Sequence, residues 1–376
     1  MPSNPEQTSL VAPAVIAWQR VHGRNTLPWQ NTKDPYRVWL SEIMLQQTQV
    51  TTVIPYYEKF LLAFPDIHVL ASAPEDQVLA LWAGLGYYTR ARNLHKCAKE
   101  VVHRFGGQFP SEQVQLMTLP GIGRSTAAAI AAFCFGQRTS IMDGNVRRVF
   151  CRFFGIEGDP TSSKVQDRLW ALAEQALPSP DAIKTDPESM SRYTQGLMDL
   201  GAMICTRRSP RCDQCPLADG CIARHTGRTE TLPSPKARKA RPQQHCHVLL
   251  VRQSGQVWLC KRPQTGIWAG LWSLPEASTE SELWQRFGEL FEAAGRPAAM
   301  AAFRHELTHL RLLLQPWHLE LPTHMSANQW LVPGPESAWV DARMLHQFGL
   351  PAPILPLVGA FTQDEICPAS APDDCY

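Results

Sequence analysis

No apolar run in this sequence approaches the roughly 18 residues that a membrane helix requires, the longest good one being Ala127 to Phe135. The opening residues, Met1 to Gln7, are polar, so neither a membrane span nor a secretory leader is read, and a cytoplasmic protein is expected. Net charge is scarce too. Thirty-six basic and 34 acidic residues leave +2, too little to prove a nucleic-acid partner by itself. No segment repeats at a fixed period, which excludes a solenoid. What is present is ordinary globular material: 376 residues, 44% hydrophobic and 19% charged, enough for two or three domains. The charge is concentrated, however. Between Arg207 and Arg241 stand nine basic and three acidic residues, a stretch that attracts phosphates, although such runs are as often solvated faces or linkers.

The chain divides near residue 229. Residues 229–243, with three prolines, no aromatics and almost no aliphatic side chains, cannot bury a core and read as a basic linker. Upstream, apolar residues recur at three- and four-residue spacings over Pro35–Ile54, Val78–Trp82, Arg90–Phe105, Ser125–Phe135, Asn145–Phe154 and Val165–Ala176, so residues 1–228 are expected to be all-α. Downstream, the sequence alternates around Ser254-Gly255 as a β-hairpin does, and strand character returns in RLLLQPWHLEL; residues 244–358 are expected to be α+β. The tail, 359–376, is expected to be poorly ordered.

Eleven cysteines without a secretory leader are not read as disulfides. Four of them, Cys205, Cys212, Cys215 and Cys221, form C-x6-C-x2-C-x5-C and collect four thiolates within residues 205–221. Four thiolates suit either a structural zinc ion or an iron–sulfur cluster, and thiolate chemistry alone leaves both open. The other seven are scattered and read as core or surface thiols.

Leu119-Pro120-Gly121-Ile122-Gly123 lies between two helical segments, and its glycines allow a tight turn that points N–H groups and a helix start at an anion. Twenty residues on comes Asp143, in IMDGNVRRVF. Alone, the turn is a connector and the aspartate an N-cap. Hairpin, aspartate and four-cysteine loop in this order resemble the helix-hairpin-helix DNA glycosylases over about residues 10 to 225, and the cysteine spacing resembles the iron–sulfur loop of the endonuclease-III-like members. Ser125 stands where strand-cleaving members carry a nucleophilic lysine, so a Schiff-base lyase is not expected. The run Trp39 to Val50 (WLSEIMLQQTQV), the motif Gly84-Leu85-Gly86-Tyr87-Tyr88 and Leu27-Pro28-Trp29 closely resemble MutY-type adenine DNA glycosylases.

The second half resembles a Nudix domain, with five residues between Gly270 and Glu276. Where a working Nudix hydrolase places Arg-Glu and Glu-Glu pairs to hold Mg²⁺, this chain has Trp284-Gln285 and Gly288-Glu289, so nucleotide pyrophosphatase activity is not expected. A non-catalytic DNA-binding protein on the same scaffold is the other alternative, and the presence of both Glu42 and Asp143 argues against it.

The resemblance implies a multi-domain protein: a helix-hairpin-helix glycosylase domain with a cluster loop, then a Nudix-like domain that recognises 8-oxoguanine. It implies hydrolysis of the N-glycosidic bond of adenine opposite 8-oxoguanine or guanine in double-stranded DNA, by a monomer that joins the nucleoid when on DNA. It assigns Glu42 as the acid, Asp143 as the stabiliser of the oxocarbenium ion and Asn145 as its orienter. Trp29 and Leu45 line the base pocket, and Gln46, Gln47 and Tyr87 fill the duplex. Gly121, Gly123, Arg207, Arg208 and Arg211 meet the DNA backbone, and the four loop cysteines hold one [4Fe–4S] cluster. Leu307, Thr308 and His309 take the place of a Phe-Ser-His recognition loop, keeping the hydroxyl and imidazole but not the ring. Glu42 has an independent argument: Asp34-Pro35 starts a helix that places it on a partly apolar face, where a carboxyl is raised toward neutral pH.

Overall fold

The computed structural model describes residues 5–234 and 240–359, which form two compact units. One holds the described residues up to Ser72 and those from Asn93 to Ser234; the other holds Ala73–Arg92 and those from Ala240 onward. Residues 235–239 of the expected linker and all of the expected tail beyond Gly359 lie outside the described residues.

The packing departs from the expected boundaries at two places. Within the expected domain of residues 1–228, Ala73–Arg92 groups with the second compact unit. Its helix, Glu75–Trp82, is followed by a turn to Tyr88, whose hydroxyl donates to Leu350 O at 3.1 Å. In the expected linker, 229–243, Leu232 is buried and its carbonyl accepts from Arg152 Nε at 2.9 Å, so the segment's one leucine and one of its carbonyls anchor it to the first unit.

The first unit is helical throughout. Helix Pro35–Leu45 starts as its sequence directs: Asp34 accepts from Tyr36 N, Pro35 needs no donor in the first turn, and Val38, Trp39, Leu40, Ile43 and Met44 are buried. The periodic run Pro35–Ile54 is two helices rather than one. The chain breaks after Leu45, Gln47 takes φ 60°, and the helix resumes at Val50. Helix Arg124–Phe135 buries Ala127–Ala132, five alanines and Ile130, and its small side chains let it pack closely on helix Pro35–Leu45. The central core gathers Val15, Trp18, Phe150, Phe153, Leu169, Met190 and Leu197.

The second unit is built on an eight-stranded sheet with β1 (Gln243–Gln253), β2 (Gln256–Lys261), β3 (Trp272–Ser273), β4 (Glu276–Ala277), β5 (Ala298–Ala299), β6 (Phe303–Glu306), β7 (Arg311–Glu320) and β8 (Ser337–Asp341). The central path runs β3-β2-β1-β7-β5. Strands β1 and β7 are parallel, from Gln243 opposite Arg311 to Arg252 opposite Glu320, and the other pairs are antiparallel. The β1–β2 turn sits at Ser254-Gly255, both with positive φ (50° and 76°), as a two-residue hairpin turn requires. Alternate residues of β1 enter different cores: Val248 and Leu250 join Leu312, Leu314, Leu350 and Ile354, while Leu249 and Val251 join Leu283, Phe287 and Phe291. Both faces of the sheet are thus covered, one by helix Glu280–Ala294.

Candidate active site and DNA-facing loops

A cavity of about 1130 Å³ in the first unit is lined by Trp29, Glu42, Leu45, Gln46, Gln47, Asp143 and Asn145. Seven residues selected from distant motifs therefore share one space. Glu42 is on the third turn of helix Pro35–Leu45, and Asp143 immediately precedes helix Gly144–Phe153, to which it is the N-cap, accepting from Val146 N at 2.7 Å. Burial, reinforced by the negative charge of Asp143, pushes the Glu42 carboxyl up to about 8. Burial also raises Asp143, but hydrogen bonds from the Val146 and Asn145 backbone and the charges of Arg148 and Arg147 oppose it. Glu42 is thus set to carry a proton near neutrality, while Asp143 is raised too but has hydrogen bonds and arginine charges that partly offset its burial.

Asn145 is tied down by Arg148, whose Nη2 donates to Asn145 Oδ1 at 2.9 Å and to Gly201 O at 2.5 Å, while its Nε donates to Cys205 O at 2.6 Å. A Cβ at Gly201 would lie 2.5 Å from that of Asn145, so the glycine admits the Asn145 helix against the turn leading to the first loop cysteine.

Part of the cavity lining has no motif in the sequence. Asp199 is completely buried and accepts from Arg24 N at 2.9 Å, from Arg24 Nε at 2.7 Å and from Gln195 Nε2 at 2.9 Å; Arg24 and Gln195 line the cavity. Its one signal was an acidic residue within the apolar run GLMDLGAMI, a place where an unpaired carboxylate is costly.

Ser125, at the position of the absent lysine, also lines the cavity, and its hydroxyl accepts from Met142 N at 3.0 Å. In the hairpin before it, Gly121 has φ 78° and Gly123 caps helix Arg124–Phe135.

All four loop cysteines line a second, small cavity together with Arg152 and Ile204. Buried Arg152 organises this loop, donating to Cys205 Sγ at 3.3 Å, Thr206 O at 2.7 Å and Arg207 O at 3.2 Å. Burial pushes the Cys215 thiol up to about 12, and Cys205, Cys221 and Cys212 add to it. Among the described residues no three of His, Cys, Asp or Glu are gathered closely enough to hold a metal ion as placed, but four cysteines lining one cavity beside an arginine donor are the side chains an iron–sulfur cluster uses. Arg207, Arg208 and Arg211 are exposed on the same loop.

Tyr87 does not line the cavity that holds Glu42 and Asp143. It belongs to the second unit, where its side chain is 45% exposed and its hydroxyl lies 3.1 Å from Thr308 Oγ1. Leu307, Thr308 and His309 occupy the turn between β6 and β7, closed by Leu307 N donating to Leu310 O at 2.9 Å. Leu307 packs against the sheet's core, while Thr308 and His309 are exposed. Gln47 and Tyr87 both hold positive φ (60° and 50°), a conformation uncommon outside glycine.

In the Nudix-like half, Glu276 accepts from Arg262 and from Ser273 Oγ, and Trp284 packs its ring on Phe291 where a Nudix hydrolase carries arginine. Those side chains serve packing and internal pairing rather than a carboxylate cage.

Residues 40–175 match the HhH-GPD superfamily base excision DNA repair proteins, 205–221 the iron-sulfur binding domain of endonuclease III, and 247–360 the NUDIX domain. An adenine DNA glycosylase of Buchnera aphidicola is 34% identical over 93% of this chain and 97% of that protein. The adenine DNA glycosylase of Homo sapiens is 36% identical, over 82% of this chain and 66% of that protein. Among solved structures, a thermostable thymine-DNA glycosylase aligns with a TM-score of 0.52 at 27% identity, covering 59% of this chain and 98% of that one.

Proposed function

Because this chain belongs to the adenine DNA glycosylases, we propose that it removes adenine mispaired with 8-oxoguanine, or with guanine, from double-stranded DNA, and does so with Glu42 and Asp143. It is a base-excision repair enzyme of the helix-hairpin-helix group, with an iron–sulfur loop and a Nudix-like second half. The observation that carries the mechanism is the shared cavity, in which Glu42 is raised to about 8 and so still holds a proton at neutral pH.

Adenine must leave the stack before Glu42 can reach it, and unstacking costs a few kcal/mol that the protein's contacts with the duplex offset. Gln46, Gln47 and Tyr87 are assigned to the space it vacates, while Trp29 and Leu45 hold the flipped base. Glu42 gives its proton to N7. The C1′–N9 bond then breaks with its electron pair going to adenine, and the sugar is left as an oxocarbenium ion. Asp143, as carboxylate, stabilises that cation or traps it covalently, with Asn145 orienting the carboxylate. Water adds its oxygen to C1′ and returns a proton to Glu42, which closes the cycle.

Cys205, Cys212, Cys215 and Cys221 hold one [4Fe–4S] cluster in this reading, and its contribution is to organise the loop bearing Arg207, Arg208 and Arg211 for phosphate contact. Gly121 and Gly123 meet the backbone as well, and Thr308 and His309 read the base opposite adenine. A single chain acting on nucleoid DNA in the cytoplasm completes the picture; no described helix is long and apolar enough to cross a membrane.

The test is single-turnover base release on duplexes with adenine opposite 8-oxoguanine, guanine or thymine, read with and without alkali. Alkali-dependent cleavage opposite 8-oxoguanine, little opposite thymine, and loss of release with retained binding in Glu42→Gln and Asp143→Asn are expected. Near-normal rates in either variant would sink the scheme.

A further inference from the structure

We propose that Asp76 is a positioning residue for reading the base opposite adenine, because it seats on the sheet the helix that presents Tyr87 to Thr308. The step rests on the reading above, in which Tyr87 enters the duplex and Thr308 meets that base. Asp76 stands in the first turn of helix Glu75–Trp82, and each of its carboxylate oxygens has one partner: Oδ1 accepts from Lys261 Nζ at 2.7 Å and Oδ2 from Trp272 Nε1 at 3.2 Å. Lys261 and Trp272 are register partners on β2 and β3, and the ammonium lies 5.7 Å from the indole centroid. One carboxylate therefore clamps the helix start to two adjacent strands.

From there the contacts lead to Tyr87. Leu79, one turn on, is packed so tightly that a Cβ at Gly349 would lie 2.9 Å from its own. Trp82, at the helix end, donates its Nε1 to Gly86 O at 3.1 Å. The Arg90 guanidinium lies 5.3 Å from the Trp82 ring and 5.5 Å from that of Tyr87, and it donates to Leu85 O and Gly86 O. Held on both sides in its left-handed backbone conformation, Tyr87 brings its hydroxyl to Thr308. Asp76, Lys261 and Trp272 do not line the cavity holding Glu42 and Asp143. The clamp thus acts on recognition and leaves the chemistry alone.

The experiment compares full-length wild type, Asp76→Asn and Asp76→Ala in single-turnover base release with adenine opposite 8-oxoguanine and opposite guanine. In Asp76→Ala the ratio of the two rates is expected to fall about tenfold, with the rate opposite guanine within about twofold of wild type. Asp76→Asn keeps an acceptor for Trp272 without the charge for Lys261, and its ratio is expected between the two. An unchanged ratio in Asp76→Ala overturns the inference, and so does an equal loss on both duplexes with a lower melting temperature, which marks a merely structural residue. If Asp76→Ala does not fold, Lys261→Met carries the same expectation and the same reversal. A wild type without any preference for 8-oxoguanine overturns the underlying reading itself, a result distinct from a preference that survives the substitution.

Discussion

The negative charge of Asp143 reaches Glu42 across their shared cavity and adds to the burial that lifts the Glu42 carboxyl to about 8. In the proposed reaction, that proximity ties the acid to the group that stabilises the cation it generates. It also carries a stability cost. Folded Glu42 titrates near 8 against an ordinary 4.5, so between those values the folded chain holds a proton that the unfolded chain has lost, and stability falls as pH rises through that window. Glu42→Gln is therefore expected to melt above wild type near neutral pH, by a margin that widens toward about pH 8 and vanishes near about pH 4.5. Thermal melts at several pH values check this, and a margin that shrinks with rising pH contradicts it. Wild-type base release is expected to decline above about pH 8 as the acid loses its proton.

Gly121→Ala meets two obstacles at once. The backbone there has φ 78°, and an added Cβ would lie 2.9 Å from the Asn93 Cβ. The left-handed conformation alone costs a substituted residue roughly 1–2 kcal/mol, so a lower melting temperature and weaker binding to every duplex, whatever base faces adenine, are expected. Gly123→Ala is the control for folding, since its φ is −85° and a Cβ there meets nothing within 4 Å. Fluorescence anisotropy with matched and mismatched duplexes separates these outcomes.

The contact between Tyr87 and Thr308 is suited to a double-mutant cycle. Tyr87→Phe and Thr308→Val each remove one hydroxyl, and their effects on the preference for 8-oxoguanine are expected to couple by about 0.5 kcal/mol, as for an exposed neutral hydrogen bond. Strict additivity would show that the two side chains read the base independently.

Arg152 is completely enclosed, and its donors serve Leu232 O, Thr206 O, Arg207 O and Cys205 Sγ. Arg152→Met leaves three of these as unsatisfied carbonyls, a loss on the order of 3 kcal/mol. Iron content per chain and the urea midpoint are expected to fall together. Full iron loading in the variant would show that the loop closes without the arginine.

The sequence was most legible where chemistry depends on short motifs. Glu42 and Asp143, proposed from runs of a few residues, line one cavity, and the start at Asp34-Pro35 explains why Glu42 is placed where burial raises it. The Ser254-Gly255 turn was legible for the same reason, since backbone φ is a local property. The placement of Ala73–Arg92 was not. Val78, Leu79 and Trp82 announce a buried face at helical spacing, but periodicity does not say which surface covers it, and the covering residues lie far along the chain. Asp199 with Arg24 and Arg152 with Leu232 escaped likewise: each is a buried polar group paired across 175 or 80 positions, and nothing beside it in sequence names the partner. Leu232 misled for the opposite reason, as a single leucine within a proline-rich, basic stretch that otherwise reads as solvent-facing.

The clamp at Asp76 also sets an order of events during synthesis. Lys261 and Trp272 follow Asp76 by 185 and 196 residues, which at about 5–20 residues per second delays their arrival by roughly ten to forty seconds. Throughout that interval the helix bearing Val78, Leu79 and Trp82 lacks both strand partners of Asp76 and the Gly349 backbone against which Leu79 packs, while the residues on either side of it begin to fold. The second unit is completed only by reaching back for a piece made long before, a long-range closure of the kind that slows folding and calls for chaperone shelter.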